Sequence, residues 1–199
     1  MTQLPVNPTP PEWMSPFVQK ALAFAAHAHR NQVRKYTGEP YIYHPIDVAT
    51  TVYEAFQAEG TEVPEFMLCA ALLHDVVEDC EVTFTELRRE FNEEVAACVM
   101  FLTDLVTKEQ GNRDTRKFME ATRIGYAPVA AQTVKLADLI SNSRSIFEHD
   151  PDFAVVYLRE KERVLNAISM SFNNVQPETL ALYDQAVAIV TAQREVEKA

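Results

Sequence analysis

The chain has 199 residues, enough for one domain with appendages and for burial of about 70% of the surface that an unfolded chain exposes. Apolar residues make up 47% and charged residues 24%, as in ordinary globular proteins, and no run approaches the roughly 18 uncharged apolar residues of a membrane span. Eighteen Lys plus Arg against 29 Asp plus Glu leave a net charge of -11, which excludes a nucleic acid polymer or an anionic membrane as the main partner, since both require a positive field.

Residues 1–16 hold five prolines and read as an extended N-terminal arm, with no basic start or apolar core to suggest a secretory signal. Trp13 and Phe17 are placed to pin the end of this arm. From Ser15 the spacing of Phe17, Val18, Ala21, Leu22 and Ala25 is helical, and the segment from Val33 to Pro45 is a loop punctuated by Gly38, Pro40 and Pro45. Pro45 suits the first turn of a helix reaching about Ala58, which puts His44 at the N-cap. FMLCAALLHDVVED then reads as one apolar helix. Thr83–Phe91 is a short helix opened by a Thr three residues before Glu86, and Asn92–Val106 is another.

A polar stretch, KEQGNRD, precedes a helix over Thr115–Ile124. Pro128 starts the helix that carries VKLADLISNSR, and Asp150-Pro151 breaks it. Two long helices follow over about 152–173 and 177–197, the second with Leu180, Tyr183, Val187 and Val190 on one stripe. No strand pair, repeat or low-complexity tract is evident, so the class is all-α. Cys69, Cys80 and Cys98 are odd in number and lack metal-site spacing, which fits a reduced, cytoplasmic setting. Only four glycines are present, which disfavours a Rossmann or P-loop fold.

The chemistry concentrates in His74, Asp75, Glu78 and Asp79. A helix apolar all round is buried, so four ionisable groups at its end sit at the rim of a core, and carboxylates there oppose the helix dipole. A divalent cation resolves both costs, and mixed imidazole and carboxylate donors suit Mn, Fe, Ni or Zn. The alternative is a helix end whose acids reach solvent and whose His bonds a carbonyl. Two further segments favour the metal: Asp138 and Asn142 stand one turn apart on a mostly apolar helix, and His44 follows a Gly/Pro loop.

RKYTGEPYIYHP, ALLHDVVED and VKLADLISNSR, in that order, resemble the hydrolase domain of RelA/SpoT enzymes, within the HD superfamily of metal-dependent phosphohydrolases. The length is similar to that of the stand-alone small alarmone hydrolases. The resemblance implies a single HD-domain bundle of about eight to ten helices spanning 17–199. It implies that His44, His74, Asp75 and Asp138 ligate one Mn²⁺, and that Glu78 and Asp79 orient and activate the attacking water. It places Arg34 at the base with Lys35 beside it, Asn142 near the ribose, and Arg113, Arg116 and Lys117 near the phosphates.

The implied substrate is a guanosine alarmone, and the implied reaction removes its 3′-pyrophosphate. The family's long members continue into a synthetase domain; 55 residues follow Arg144, so degradation alone is expected. Tyr36 and Thr37 lengthen the loop, Leu139 replaces a usual basic residue, and small Ser141 and Ser143 flank Asn142. These departures leave the base open between guanine and adenine. Other readings are an HD phosphohydrolase acting on an adenosine alarmone or NADPH, and an antitoxin-like binding protein. Oligomeric state is left open by the sequence. His27 and His29 face different ways on one helix; His29 is assigned to packing, His149 to a solvated loop, and Phe101, Phe118 and Tyr183 to the core. Tyr157 is placed either in helix packing or at the substrate.

Overall fold

A computed structural model describes residues 10–172 and 175–196; most of the expected N-terminal arm (1–9), residue 173 of a predicted helix, and 197–199 lie outside the described residues. All regular elements among the described residues are helical, apart from one isolated antiparallel bridge between Val33 and Pro40. None of these helices is long and apolar enough to cross a membrane. The chain divides after Thr103 into two compact units.

The first unit contains α1 (Pro16–Ala28), α2 (Tyr43–Ala58), α3 (Glu65–Leu73), α4 (Val76–Asp79), α5 (Phe84–Glu90) and α6 (Glu93–Leu102). Local chemistry sets three of the six starts: the side chains of Ser15, Thr83 and Asn92 accept from the backbone N–H groups of Val18, Glu86 and Val95. Helix α3 is the centre of the unit and packs on α1, α2 and α6, with every residue from Met67 to Leu73 buried. Trp13 stacks on Tyr53 at 4.4 Å between centroids, and Phe17 meets Phe91 edge-on at 6.1 Å, so both residues anchor the entry into α1.

Two expectations fail here. His44 is not an N-cap: α2 begins at Tyr43, so His44 and Pro45 both fall in its first turn, where a proline's missing N–H has no helical partner to lose. Nor is FMLCAALLHDVVED one helix, because α3 ends at Leu73 and the chain turns through His74 and Asp75 before α4. Asp75 sits at φ -100°, ψ -7°, away from helical values. Helix α6 also ends at Leu102, short of Val106.

The second unit contains α7 (Arg113–Gly125), α8 (Val129–His149), α9 (Pro151–Ser169) and α10 (Pro177–Val196), preceded by a 3₁₀ turn at Lys108–Gln110. Helix α8 is the long axis and packs on α9 and α10, while α7 packs on α9. Asp150 caps α9 through Phe153 N–H, as the Asp-Pro break requires. The buried residues of α10 are Glu178, Thr179, Leu182, Ala186 and Val190, so Val190 alone of the predicted stripe is buried and Leu180 is exposed. Thr179 enters the core because its hydroxyl pairs with that of Thr133 at 2.7 Å. Phe118, expected in the core, is 61% exposed, and His149 occupies the last turn of α8.

Gly125 lets α7 approach α9 closely, since a Cβ there would stand 2.8 Å from the Ala167 carbonyl oxygen. Gly125→Ala is therefore expected to lower stability by about 1–3 kcal/mol, seen as a reduced Tm in thermal unfolding; an unchanged Tm would contradict this packing.

Candidate metal centre

Three side chains of the first unit converge where the apolar helix stops. His74 and His44 are each 3% exposed, and the carboxylate of Asp75 lies 3.0 Å from His74 Nε2 and 3.7 Å from His44 Nε2. One donor atom from each lies within 4.8 Å of the others. Leu73 and Val76 are fully buried on either side, so the turn at His74-Asp75 presents polar groups from the floor of the core. The chemistry of this donor set fits a divalent cation: two imidazoles and one carboxylate match the borderline ions.

Two of the three donors are oriented by a second hydrogen-bond partner. His74 Nδ1 lies 2.8 Å from the Ala71 carbonyl and donates to it, which leaves Nε2 with its lone pair toward Asp75. The carbonyl contact thus coexists with a ligand role. Tyr41 donates its hydroxyl to Asp75 Oδ2 at 2.5 Å, and the Tyr41 ring packs on both His44 and His29. Tyr41 was not legible as a site residue, because 34 positions separate it from Asp75.

Glu78 and Asp79 follow on α4, both with exposed side chains; the backbone N–H of Asp79 bonds the Asp75 carbonyl at 2.9 Å. Partial burial, and then the charge of Asp75, hold the Asp79 carboxyl above its ordinary range. Gln32 donates to the Asp79 carbonyl at 3.2 Å, and its amide oxygen meets His29 Nδ1. His29 is 2% exposed; burial lowers its pKa, while Gln32, Asp75 and Asp79 act in the opposite sense. It packs, as expected, but against this cluster and not only between helices.

Arg34 and Lys35 stand in the hairpin-like loop. The Arg34 N–H bonds the Glu39 carbonyl at 2.8 Å, Gly38 turns the chain at φ 71°, and the Arg34 guanidinium lies 6.0 Å from the Tyr41 ring. Lys35 is exposed and folds over Tyr36, its ammonium 3.1 Å from the Tyr36 hydroxyl.

The remaining predicted residues belong to the second unit. Asp138 is 5% exposed on α8, where Lys135 bonds Oδ2 at 2.9 Å and Asn142 bonds Oδ1 at 2.5 Å. Lys135 went unremarked in the sequence, although three-residue spacing on one helix was the available signal. Arg113 makes a two-point ion pair with Glu160, at 2.7 and 3.0 Å. Lys117 lies 3.3 Å from Asp104 and 2.6 Å from Glu120. Burial, and the proximity of Asp104, push the Glu120 carboxyl up to about 6. Tyr157 is 5% exposed and packs against Phe147 and Phe153.

A sequence model described as the HD domain matches residues 21–168, a span that runs through both units. The zebrafish (Danio rerio) protein named guanosine-3′,5′-bis(diphosphate) 3′-pyrophosphohydrolase MESH1 is 38% identical over 130 residues, covering 65% of this chain and 68% of that protein. A guanosine-3′,5′-bis(diphosphate) 3′-pyrophosphohydrolase of Aquifex aeolicus (strain VF5) is 34% identical over 133 residues, or 65% of this chain and 18% of that longer protein. A solved structure of a metazoan ortholog of SpoT, described as hydrolysing ppGpp and acting in starvation responses, superposes with a TM-score of 0.69 at 26% identity, covering 88% of this chain and 98% of that one.

Tyr41→Phe removes the hydroxyl that orients Asp75 without altering the donors. It is expected to weaken divalent-metal affinity by about 10- to 100-fold, measured by metal titration; parental affinity would show that Asp75 needs no such support.

Proposed function

The chain belongs to the HD domain family, and from that premise we propose that it removes the 3′-pyrophosphate of guanosine tetraphosphate or pentaphosphate, leaving GDP or GTP. The observation that carries the reading is the trio of buried His44 and His74 with half-buried Asp75, the last two each oriented by a hydrogen-bond partner, in a chain whose relatives bear that activity in their names. Asp138 completes the ligand set in this reading, and Mn²⁺ is the single ion. Support for Asp138 is its burial as a carboxylate aimed by Lys135 and Asn142.

The bound cation supplies Lewis acidity toward water and the phosphoryl oxygens. Glu78 and Asp79 take the proton as water adds to the phosphorus attached to the 3′ oxygen. The 3′ O–P bond breaks, pyrophosphate departs with the oxygen of water, and the 3′ oxygen leaves as a hydroxyl after receiving a proton. An Asp79 carboxyl with raised proton affinity suits the accepting role. Asn142 contacts the ribose, Arg34 the base with Lys35 beside it, and Arg113 and Lys117 the phosphates. The last two reach an anion by exchanging carboxylate partners, since Arg113 holds Glu160 and Lys117 holds Asp104 and Glu120.

Cys69, Cys80 and Cys98 are free thiols, in keeping with the reduced cytoplasmic setting of this reading. The exposed turn over Tyr36, Thr37 and Gly38 favours a second reading, in which an adenosine alarmone or NADPH is the preferred nucleotide.

The test is pyrophosphate release from guanosine tetraphosphate by purified protein, with Mn²⁺ and with EDTA. Metal-dependent release is expected, and its absence from folded, metal-loaded protein defeats the proposal. Asp138→Ala should lose metal and activity together. Glu78→Ala should keep the metal and lose rate by about 10²-fold or more; metal loss in both variants would reassign the water-activating acid.

A further inference from the structure

Gln32 stands between α1 and the loop that carries Arg34 and Lys35, and every polar group it has is engaged. Its backbone N–H donates to the His29 carbonyl at 2.9 Å, and its carbonyl accepts from the Tyr41 N–H at 3.0 Å. Its side-chain amide is oriented from below by His29, which is 2% exposed and meets the amide oxygen through Nδ1. An amide oxygen only accepts, so Nδ1 carries the proton and the amide nitrogen is left to donate elsewhere. That nitrogen donates to the Asp79 carbonyl at 3.2 Å, across 47 positions.

The receiving helix needs such a bond. Helix α4 is a single turn of four residues, too short to persist on its own backbone bonds. Val76 is fully buried and anchors its start, whereas Glu78 and Asp79 at its end are exposed. The turn is closed by the Asp79 N–H on the Asp75 carbonyl at 2.9 Å and the Cys80 N–H on the Val76 carbonyl at 3.1 Å. At Cys80 the chain becomes extended, so the Asp79 carbonyl has no further helical turn to bond. Gln32 supplies a partner from another element. Gln32, Glu78 and Asp79 also line one cavity of about 630 Å³, so a shift of this turn displaces the acids within that space.

We propose that Gln32 is a positioning residue: its amide, aimed by His29, holds the end of α4 so that the Asp79 carboxylate keeps one placement beside the His74-Asp75 turn. The role of Asp79 in the reaction rests on the function proposed above; the hold on α4 rests on the hydrogen bonds.

Gln32→Met keeps an unbranched stem and removes both amide contacts. Gln32→Glu keeps an acceptor for His29 and removes the donor to Asp79. In metal-loaded protein with guanosine tetraphosphate, each variant is expected to lower kcat about tenfold with KM within about twofold of the parent. Divalent-metal affinity should stay within about twofold, because Gln32 reaches Tyr41 through its backbone alone. Exchange of the Asp79 and Cys80 amides, followed by NMR, should quicken about tenfold in Gln32→Met, with that of the α3 core unchanged. Parental kcat in Gln32→Met, parental kcat in Gln32→Glu, or unchanged exchange in α4 would each overturn the proposal, as would metal affinity lost in step with rate. A parent that leaves guanosine tetraphosphate intact, while Gln32→Met still quickens exchange in α4, would reject the proposed substrate and keep the hold of Gln32 on this turn.

Discussion

The site exists because an apolar helix stops in the middle of the protein's most enclosed ground. Helix α3 is buried from Met67 to Leu73, and Val76 beyond the turn is again fully buried. Between them the chain must place His74 and Asp75, whose polar atoms have little water to turn to. The turn answers this by giving each group a defined partner: a carbonyl for His74 Nδ1, a phenol for Asp75 Oδ2. What is left over is a lone pair and a carboxylate aimed at the same point, which is the requirement for holding a cation.

The second unit handles its ionisable groups differently. Helix α8 buries Asp138 by bonding both carboxylate oxygens to residues of the same helix, Lys135 and Asn142. Lys117, on the neighbouring α7, is likewise matched by acids, Asp104 and Glu120.

Much of this architecture was legible in the residues. Ser15, Thr83, Asn92 and Asp150 cap helices by rules local to a few positions, and the Asp-Pro break was visible for the same reason. The end of α3 was not visible, because Val76 and Val77 continue the apolar pattern across the turn. The α10 stripe was misread because a threonine pair takes the place of an apolar contact, through a hydroxyl bond across 46 positions. Type and spacing marked the cluster from His74 to Asp79, and the resemblance of three motifs named His44, His74 and Asp75 as donors. Tyr41 and Gln32 could not, since their roles depend on contacts 34 and 47 positions away.

The enclosure of α3 also bears on how long an ion would stay. A ligand at the end of a frayed helix can be released by local opening, which costs little free energy. His74 is anchored to the carbonyl of Ala71, which is itself fully buried, so lifting the backbone at this end disturbs the interior of the first unit. Openings of that kind belong to the slowest class of hydrogen exchange, close to global unfolding. The residence time of an ion held here would thereby be coupled to the persistence of the core, with departure short of unfolding left to side-chain rotation at His44 and Asp75.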